Sequence, residues 1–387
     1  MLTTLAIANY RSLRNVIVPL QRLNLITGPN GSGKSNVYRA LRLLAETAQG
    51  GVIPSLAREG GLQSTLWAGP ENVGRAVKRG QYKVEGTVRK ERTNLRLGFA
   101  GDDFGYAIDL GLPAPSTSAF ALDPEIKTET IWAGPILRPA ALLIERHGPV
   151  VRSKTEDGEW QVLAYQLSSF DSMMTQFADP RNAPEMLSLR EQIRSWRFYD
   201  HFRTDSQAPA RLPQIGTHTP ILGNDGADMA AALQTIREVG DPDALAGAVS
   251  DAFPGSSISV LNVEGRFEIA MHQHGLLRPL KAAELSDGTL RYLLWIAALL
   301  TPRPPELLVL NEPETSLHPD LLPALGRLIA SAAERSQVLV VTHAPQLIAS
   351  LEEQRDCNSI TLAKDFGETK IVGADRLDVP VWRWASR

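Results

Sequence analysis

The run Gly28-Pro29-Asn30-Gly31-Ser32-Gly33-Lys34-Ser35 spaces its glycines, lysine and serine as a phosphate-wrapping loop requires. Successive backbone N–H groups must turn inward and approach phosphate oxygens closely, and a Cβ atom would obstruct them. Lys34 is placed to reach the β- and γ-phosphates and Ser35 to ligate Mg²⁺. Residues Asn30 to Asn36 then line a bound triphosphate, and the free N–H groups of the next helix add positive potential.

Three further stretches bring polar groups to the ends of apolar runs. Leu307-Leu308-Val309-Leu310-Asn311-Glu312-Pro313 reads as a buried strand that delivers a carboxylate to its carboxyl end, where open α/β sheets place ligands. Glu312 there would orient or deprotonate an attacking water. Val340-Val341-Thr342-His343 is a second such strand, and His343 could donate a hydrogen bond to a γ-phosphate. Leu285-Ser286-Asp287-Gly288-Thr289 opens a helix; Ser-Asp-Gly is a common turn, and Ser286 or Asp287 suits a helix cap.

The elements that must hold these groups follow from hydrophobic period and turn residues. From Leu2 to Thr27 the pattern predicts two strands, the last part, Leu23 to Thr27, feeding the phosphate loop, with a helix over Asn36 to Ala48. Alternation at Tyr82, Val84 and Val88, then at Leu95, Leu97 and Phe99, then at Tyr106, Ile108 and Leu110 predicts an antiparallel meander. Residues 113–124 read as a loop and 141–163 as a hairpin turning at Thr155 to Gly158. Helices are expected over about 169–178, 184–196, 227–239 and 242–253, with Ser195 to His201 as a candidate core strand. Strands at 258–263 and 267–272, a helix from Thr289 to Leu300, a helix over 319–333, a strand over 338–342 and a hairpin over 360–372 complete the pattern. Gly and Pro break the region from Asn36 to Glu284 too often for a long coiled-coil arm.

Bulk properties set limits on function. A chain of 387 residues, 43% of them hydrophobic, can build two or three domains with proper cores. The one cysteine, Cys357, excludes an internal disulfide and fits a reducing cytoplasm. Met1 to Leu13 lacks the order of a secretory signal, and the longest apolar run, Tyr292 to Leu300, is about half of what a membrane-spanning helix needs. A net charge of −3 gives no global pull towards nucleic acid. A local basic segment, Arg75, Lys78, Arg79, Lys83, Arg89, Lys90, Arg92 and Arg96, suits either DNA phosphates or the solvated outer face of strands.

In their order along the chain, these motifs resemble the ATPase heads of the ABC superfamily, and within it the RecF/SMC/OLD-like branch. Asn9-Tyr10-Arg11-Ser12-Leu13 is similar to that branch's N-terminal strand motif, Gly28 to Ser35 to its Walker A loop and Leu285 to Thr289 to its signature. Leu307 to Glu312 resembles Walker B, Thr315-Ser316-Leu317-His318-Pro319 the D-loop, and His343 the switch histidine. The resemblance implies an α/β fold of the P-loop, ABC-ATPase head type, in which a mixed sheet core carries an antiparallel β lobe and a helical lobe. It also suggests a division into 1–50 and 256–387 as one ATPase head, 51–165 as a β-rich part and 166–255 as a helical insertion.

By the same resemblance ATP and Mg²⁺ are the expected cofactors, with Glu312 and His343 catalytic and Ser35, Asn311 and a glutamine on the metal side. Gln176 and Gln166 are the candidates for that glutamine, each also readable as an exposed helical residue, and Arg11 is a candidate phosphate contact. Asn311 stands where the family usually has Asp, which removes a negative charge and predicts slow hydrolysis. Each site is expected to be composite, Ser286 and Gly288 of one copy meeting the γ-phosphate held at Lys34 of another, so ATP should drive a homodimer. DNA, in repair, recombination or defence, is one expected partner. A separately encoded effector such as a nuclease is the other, because the chain ends at Arg387 soon after the closing hairpin. A transporter head is disfavoured by the long separation of Ser286 from Lys34, and a kinase by the lack of an acceptor-site constellation.

Overall fold

The computed structural model describes residues 1–70, 93–155, 157–177, 179–373 and 379–385. The basic residues from Arg75 to Arg92, and the strand expected around Tyr82 to Val88, lie outside the described residues. The chain forms two compact units: Met1–Gln21, Gly28–Ser195 and Ile360–Arg387 make the first, and Arg22–Thr27 with Trp196–Ser359 the second.

An antiparallel sheet of eight strands runs through the first unit, in the order Leu13–Pro19, Leu2–Tyr10, Leu95–Gly101, Phe104–Gly111, Glu125–Ala133, Leu142–His147, Val150–Lys154 and Trp160–Ala164. The alternation seen in the sequence sets its register: Leu95 faces Leu110, Leu97 faces Ile108 and Phe99 faces Tyr106, all buried. Arg96, the basic residue of that stretch which is described, points the other way and pairs with Asp109 at 3.0 Å.

The sheet also buries an ion pair that no local pattern announces. Arg146 donates to Glu129 at 2.9 Å, and both side chains are fully buried. Glu129 also accepts from the Tyr106 hydroxyl, the Ser172 hydroxyl and the Met173 N–H, while Arg146 donates to the carbonyls of Gly148, Ser168 and Asp171. Every charge is thus met by partners, the condition under which a buried pair is tolerated, and segment 168–173 is pinned to the sheet.

Four parallel strands form the centre of the second unit, in the order Arg197–Tyr199, Leu307–Asn311, Gln337–Val341 and Leu23–Thr27. Their near-continuous apolar sequences mark strands covered on both faces. Helix Asp287–Leu299 is buried around its whole circumference from Leu290 onward, as a helix apolar on all sides must be. Helices Met229–Val239, Pro242–Ala252, Leu322–Ala333 and Pro345–Glu352 surround the same core, which joins Leu25, Tyr199, Phe202, Leu308, Val340 and Leu293. A small antiparallel sheet of Gln214–Ile215, Ser257–Val263, Arg266–His272 and Leu280–Lys281 completes the unit.

The helices and strands expected after Pro184 are present within a few residues of their predicted ends, and Arg197–Tyr199 is a core strand. Three expectations need correction. Three strands, not two, precede the phosphate loop, because the chain turns at Arg11, which holds a left-handed φ of 49° that hydrophobic pattern does not reveal. Residues 141–163 form three strands rather than one hairpin, with an extra turn at Gly148, φ 57°. The helix expected over 169–178 shrinks to Met173–Gln176, since the hydrogen bonds to Glu129 and Arg146 hold the preceding residues and Phe177 is extended. Strand Glu125–Ala133 and the helices Val52–Arg58 and Pro345–Glu352 are additions to the expected pattern.

Candidate functional site

In the first unit the phosphate loop opens helix Lys34–Thr47, which starts two residues earlier than its apolar pattern suggests. Gly33, at φ 108°, is packed so closely on Thr369 and Ser12 that a Cβ would collide with them, and Gly28, at φ 140°, leaves no room for a Cβ beside the Leu362 carbonyl. These two glycines are required by the backbone path itself. The Lys34 amine folds back to donate to the carbonyls of Gly28, at 2.6 Å, and Pro29, at 3.2 Å.

A hydroxyl network supports the loop from behind. Ser12 and Thr369 share a hydrogen bond of 2.7 Å, Thr369 also donates to the Ser32 carbonyl at 2.7 Å, and the Asn36 amide donates to Ser12 at 2.8 Å. Asn36 is therefore spent on holding the loop. Asn30, Gly31 and Ser35 are exposed, and among the described residues nothing stands within 4 Å of where a Cβ on Gly31 would sit. Arg11 is committed elsewhere: its guanidinium donates to Glu59 at 2.9 Å, beside the Tyr10 hydroxyl at 2.6 Å from the same oxygen. Gln176 and Gln166 are both exposed, the first on its single helical turn and the second in a loop.

In the second unit parallel register aligns three strand ends. Asn311 lies opposite Val341, and Val341 opposite Ile26, so Glu312, Thr342 and Thr27 follow side by side at the carboxyl edge, and Thr27 leads covalently into Gly28. Glu312 leaves its strand with a left-handed backbone, φ 49°, while its N–H is still bonded to the Val341 carbonyl at 2.8 Å. His343 Nδ1 stands 3.8 Å from Glu312 and 3.3 Å from Glu314. Glu314 is nearly buried and accepts from the Thr342 hydroxyl at 2.6 Å and the His343 N–H at 3.0 Å, so it fixes the histidine's backbone as well as facing its ring.

Asn311 does not stand alone. Its amide nitrogen donates to Asp200 at 2.6 Å, from the end of the neighbouring parallel strand, and its own Oδ1 is buried with no hydrogen-bond partner among the described residues.

The Ser-Asp-Gly turn caps helix Asp287–Leu299: the Ser286 hydroxyl accepts from the Thr289 N–H at 3.1 Å, as the simplest reading of the sequence allows. The same helix holds the loop after Glu312. Arg291 and Trp295, one turn apart on one face, donate to the carbonyls of Thr315 at 2.7 Å and Pro313 at 3.0 Å, and a Cβ on Gly288, on that same face, would come 3.3 Å from the Ser316 carbonyl. Arg211, almost buried, braces the turn from outside by donating to the carbonyls of Ala282, Ala283 and Leu285 and to Asp287 at 2.6 Å.

Asp200, Arg211, Glu314, Ser12 and Thr369 were not singled out from the sequence as site residues. Only Asp200 carried a signal, as the polar end of the apolar Phe198-Tyr199 strand, the same pattern that identified Glu312 and His343.

A family model described as "AAA domain, putative AbiEii toxin, Type IV TA system" matches residues 23–349. Among solved structures, an SMC head bound to the C-winged helix domain of ScpA superposes with a TM-score of 0.51 at 13% identity, covering 96% of this chain and 97% of that one. The SMC head domain from Thermotoga maritima gives 0.46 at 15% identity, over 97% and 99% of the two chains. The Smc head with an extended coiled coil, bound to the C-terminal domain of ScpA and derived from Pyrococcus furiosus, gives 0.49 at 13%, over 96% and 95%. No curated protein matches the sequence. Among the described residues no helix is long and apolar enough to cross a membrane. With this model matched over residues 23–349 and a P-loop fold like that of the SMC head, the chain belongs to the AAA-domain family that the model describes.

Proposed function

We propose that this chain is an ATP-binding, slowly ATP-hydrolysing head that pairs with a second copy of itself when ATP is bound. The observation that carries it is the carboxyl edge of the parallel sheet, where the strand leading into the phosphate loop, the strand followed by Glu312 and the strand followed by Thr342 and His343 finish in register. Ligands of open α/β sheets bind at that edge.

Asn30 to Lys34 offer the phosphates backbone N–H groups and the Lys34 ammonium, and Asn36 keeps the loop in shape through Ser12. Ser35 and Asn311 are the residues that would hold Mg²⁺ and its waters, and Asn311 suits that part because its Oδ1 is an oxygen acceptor with no hydrogen-bond partner among the described residues. When bound, the ion would neutralise charge on the β- and γ-phosphates. Glu312 takes the role of base towards the attacking water, and His343, its backbone and ring anchored on Glu314, donates to the γ-phosphate. Ser286 and Gly288 act in trans on the nucleotide of the second copy. Arg11 and Gln176 carry no role in this reading.

Phosphate release tests the hydrolytic part. Wild type is expected to turn over slowly, with Glu312→Gln and Lys34→Ala at least about 100-fold slower, as loss of a general base or a phosphate clamp commonly is. Equal rates in all three would remove Glu312 and Lys34 from the chemistry. Action on DNA, in repair, recombination or defence, predicts stimulation by duplex DNA that fades with salt. A second reading is a nucleotide-gated regulator of a separately encoded protein such as a nuclease; it is favoured by the toxin–antitoxin description of the family and predicts indifference to DNA.

A further inference from the structure

The substitution of Asn311 for the usual Asp removes a negative charge from the metal side of the site, yet the fold places another carboxylate next to it. Strand Arg197–Tyr199 runs parallel to Leu307–Asn311 with Tyr199 opposite Leu310, so the next residue of each, Asp200 and Asn311, emerge together at the carboxyl edge. The Asn311 amide nitrogen lies 2.6 Å from Asp200 Oδ1. That contact also fixes the orientation of the amide, since turning it over would set its oxygen against a carboxylate. Asn311 Oδ1 is thereby turned away from Asp200, buried and without a partner among the described residues. Asp200 itself is exposed, and its described contact is this one bond.

We propose that Asp200 supplies, from the adjacent strand, the negative charge that Asn311 lacks, and that the Asp200–Asn311 pair acts as one unit towards a divalent cation bound with the nucleotide. Asn311 presents the neutral oxygen that accepts from a metal-bound water. Asp200 orients that oxygen and, through the hydrogen bond, makes it a stronger acceptor, as carboxylates do for metal-binding groups that they support. This inference rests on the ATP-binding reading given above.

A purely structural role would require only the hydrogen bond, and the isosteric Asp200→Asn keeps an acceptor while removing the charge. The measurement is binding of a fluorescent non-hydrolysable ATP analogue to the full chain, titrated with Mg²⁺ and repeated in EDTA, with direct Mn²⁺ binding followed by electron paramagnetic resonance. Asp200→Asn is expected to raise the Mg²⁺ concentration for half-maximal binding by about tenfold and to weaken Mn²⁺ binding in parallel, the scale seen for residues that support metal ligands. The swapped pair, Asp200→Asn with Asn311→Asp, returns the charge to the same spot and is expected to restore both values to within about threefold of wild type. An unchanged Mg²⁺ requirement in Asp200→Asn, with wild type showing clear Mg²⁺-dependent binding, overturns the role of Asp200 and leaves ATP binding intact. Wild type that binds no nucleotide with or without Mg²⁺ overturns the ATP reading and this inference with it.

Discussion

Glu312 sits in a left-handed backbone conformation, φ 49°, one residue beyond a regular strand. For a residue with a Cβ that geometry costs about 1–3 kcal/mol and persists only where the surroundings impose it. Here the Val341 carbonyl holds its N–H while Arg291 and Trp295 hold the carbonyls that follow, so the carboxylate is turned out of the strand towards the sheet edge. The position of Glu312 was legible because an apolar strand ending in Asn-Glu-Pro delivers a carboxylate to the edge where α/β sheets bind ligands. The company of Asn311 was not, since Asp200 is 111 residues away in sequence and meets it only through strand pairing. Cys357 offers a separate test at this scale. Burial, and then the nearby Glu352 carboxylate, push its thiol up to about 11. A pKa raised by folding means the native state holds its proton more tightly, so this contribution to stability is complete below the ordinary thiol range and is lost as pH rises towards about 11. A thiol-disulfide reagent at pH 8 should therefore label native Cys357 slowly and denatured chain quickly; equal rates would contradict the burial.

Elements explain why the site residues arrive together. The parallel strands were legible from their continuous apolar runs, and the helices after Pro184 from their period. What escaped was set by long-range hydrogen bonds: the Glu129–Arg146 pair that replaces a predicted helix by an anchored turn, and Arg211, whose guanidinium gathers three carbonyls and Asp287 around the Ser-Asp-Gly turn. Sequence pattern carries no trace of either, because an arginine in a polar segment looks the same whether it is solvated or buried. Arg211 also donates to the carbonyls of Thr204 and Asp205, so it ties segment 204–211 to the turn that presents Ser286. A lysine cannot form that fork. Arg211→Lys is expected to cost about 2–3 kcal/mol of stability in denaturant unfolding, from buried carbonyls left without donors. It is also expected to weaken ATP-dependent self-association, measured separately by sedimentation at a temperature where the variant is folded. Unchanged association in a destabilised but folded variant would limit Arg211 to a structural role.

At the scale of the whole molecule, the proposed function makes one copy of the chain catalytically incomplete. Ser286 is capped onto its own helix and exposed, and Gly288 is packed against the loop that follows Glu312, so the turn is held by contacts within its own chain. Such a preformed surface needs little reorganisation to close on a second copy. Hydrolysis would then time the release of that dimer, as loss of a γ-phosphate does in other nucleotide switches. The most direct test is the mass of the Glu312→Gln variant by multi-angle light scattering, with and without ATP and Mg²⁺, beside Lys34→Ala. ATP is expected to double the mass of Glu312→Gln and to leave Lys34→Ala a monomer. A Glu312→Gln variant that binds ATP and yet keeps the same mass would contradict the proposed pairing.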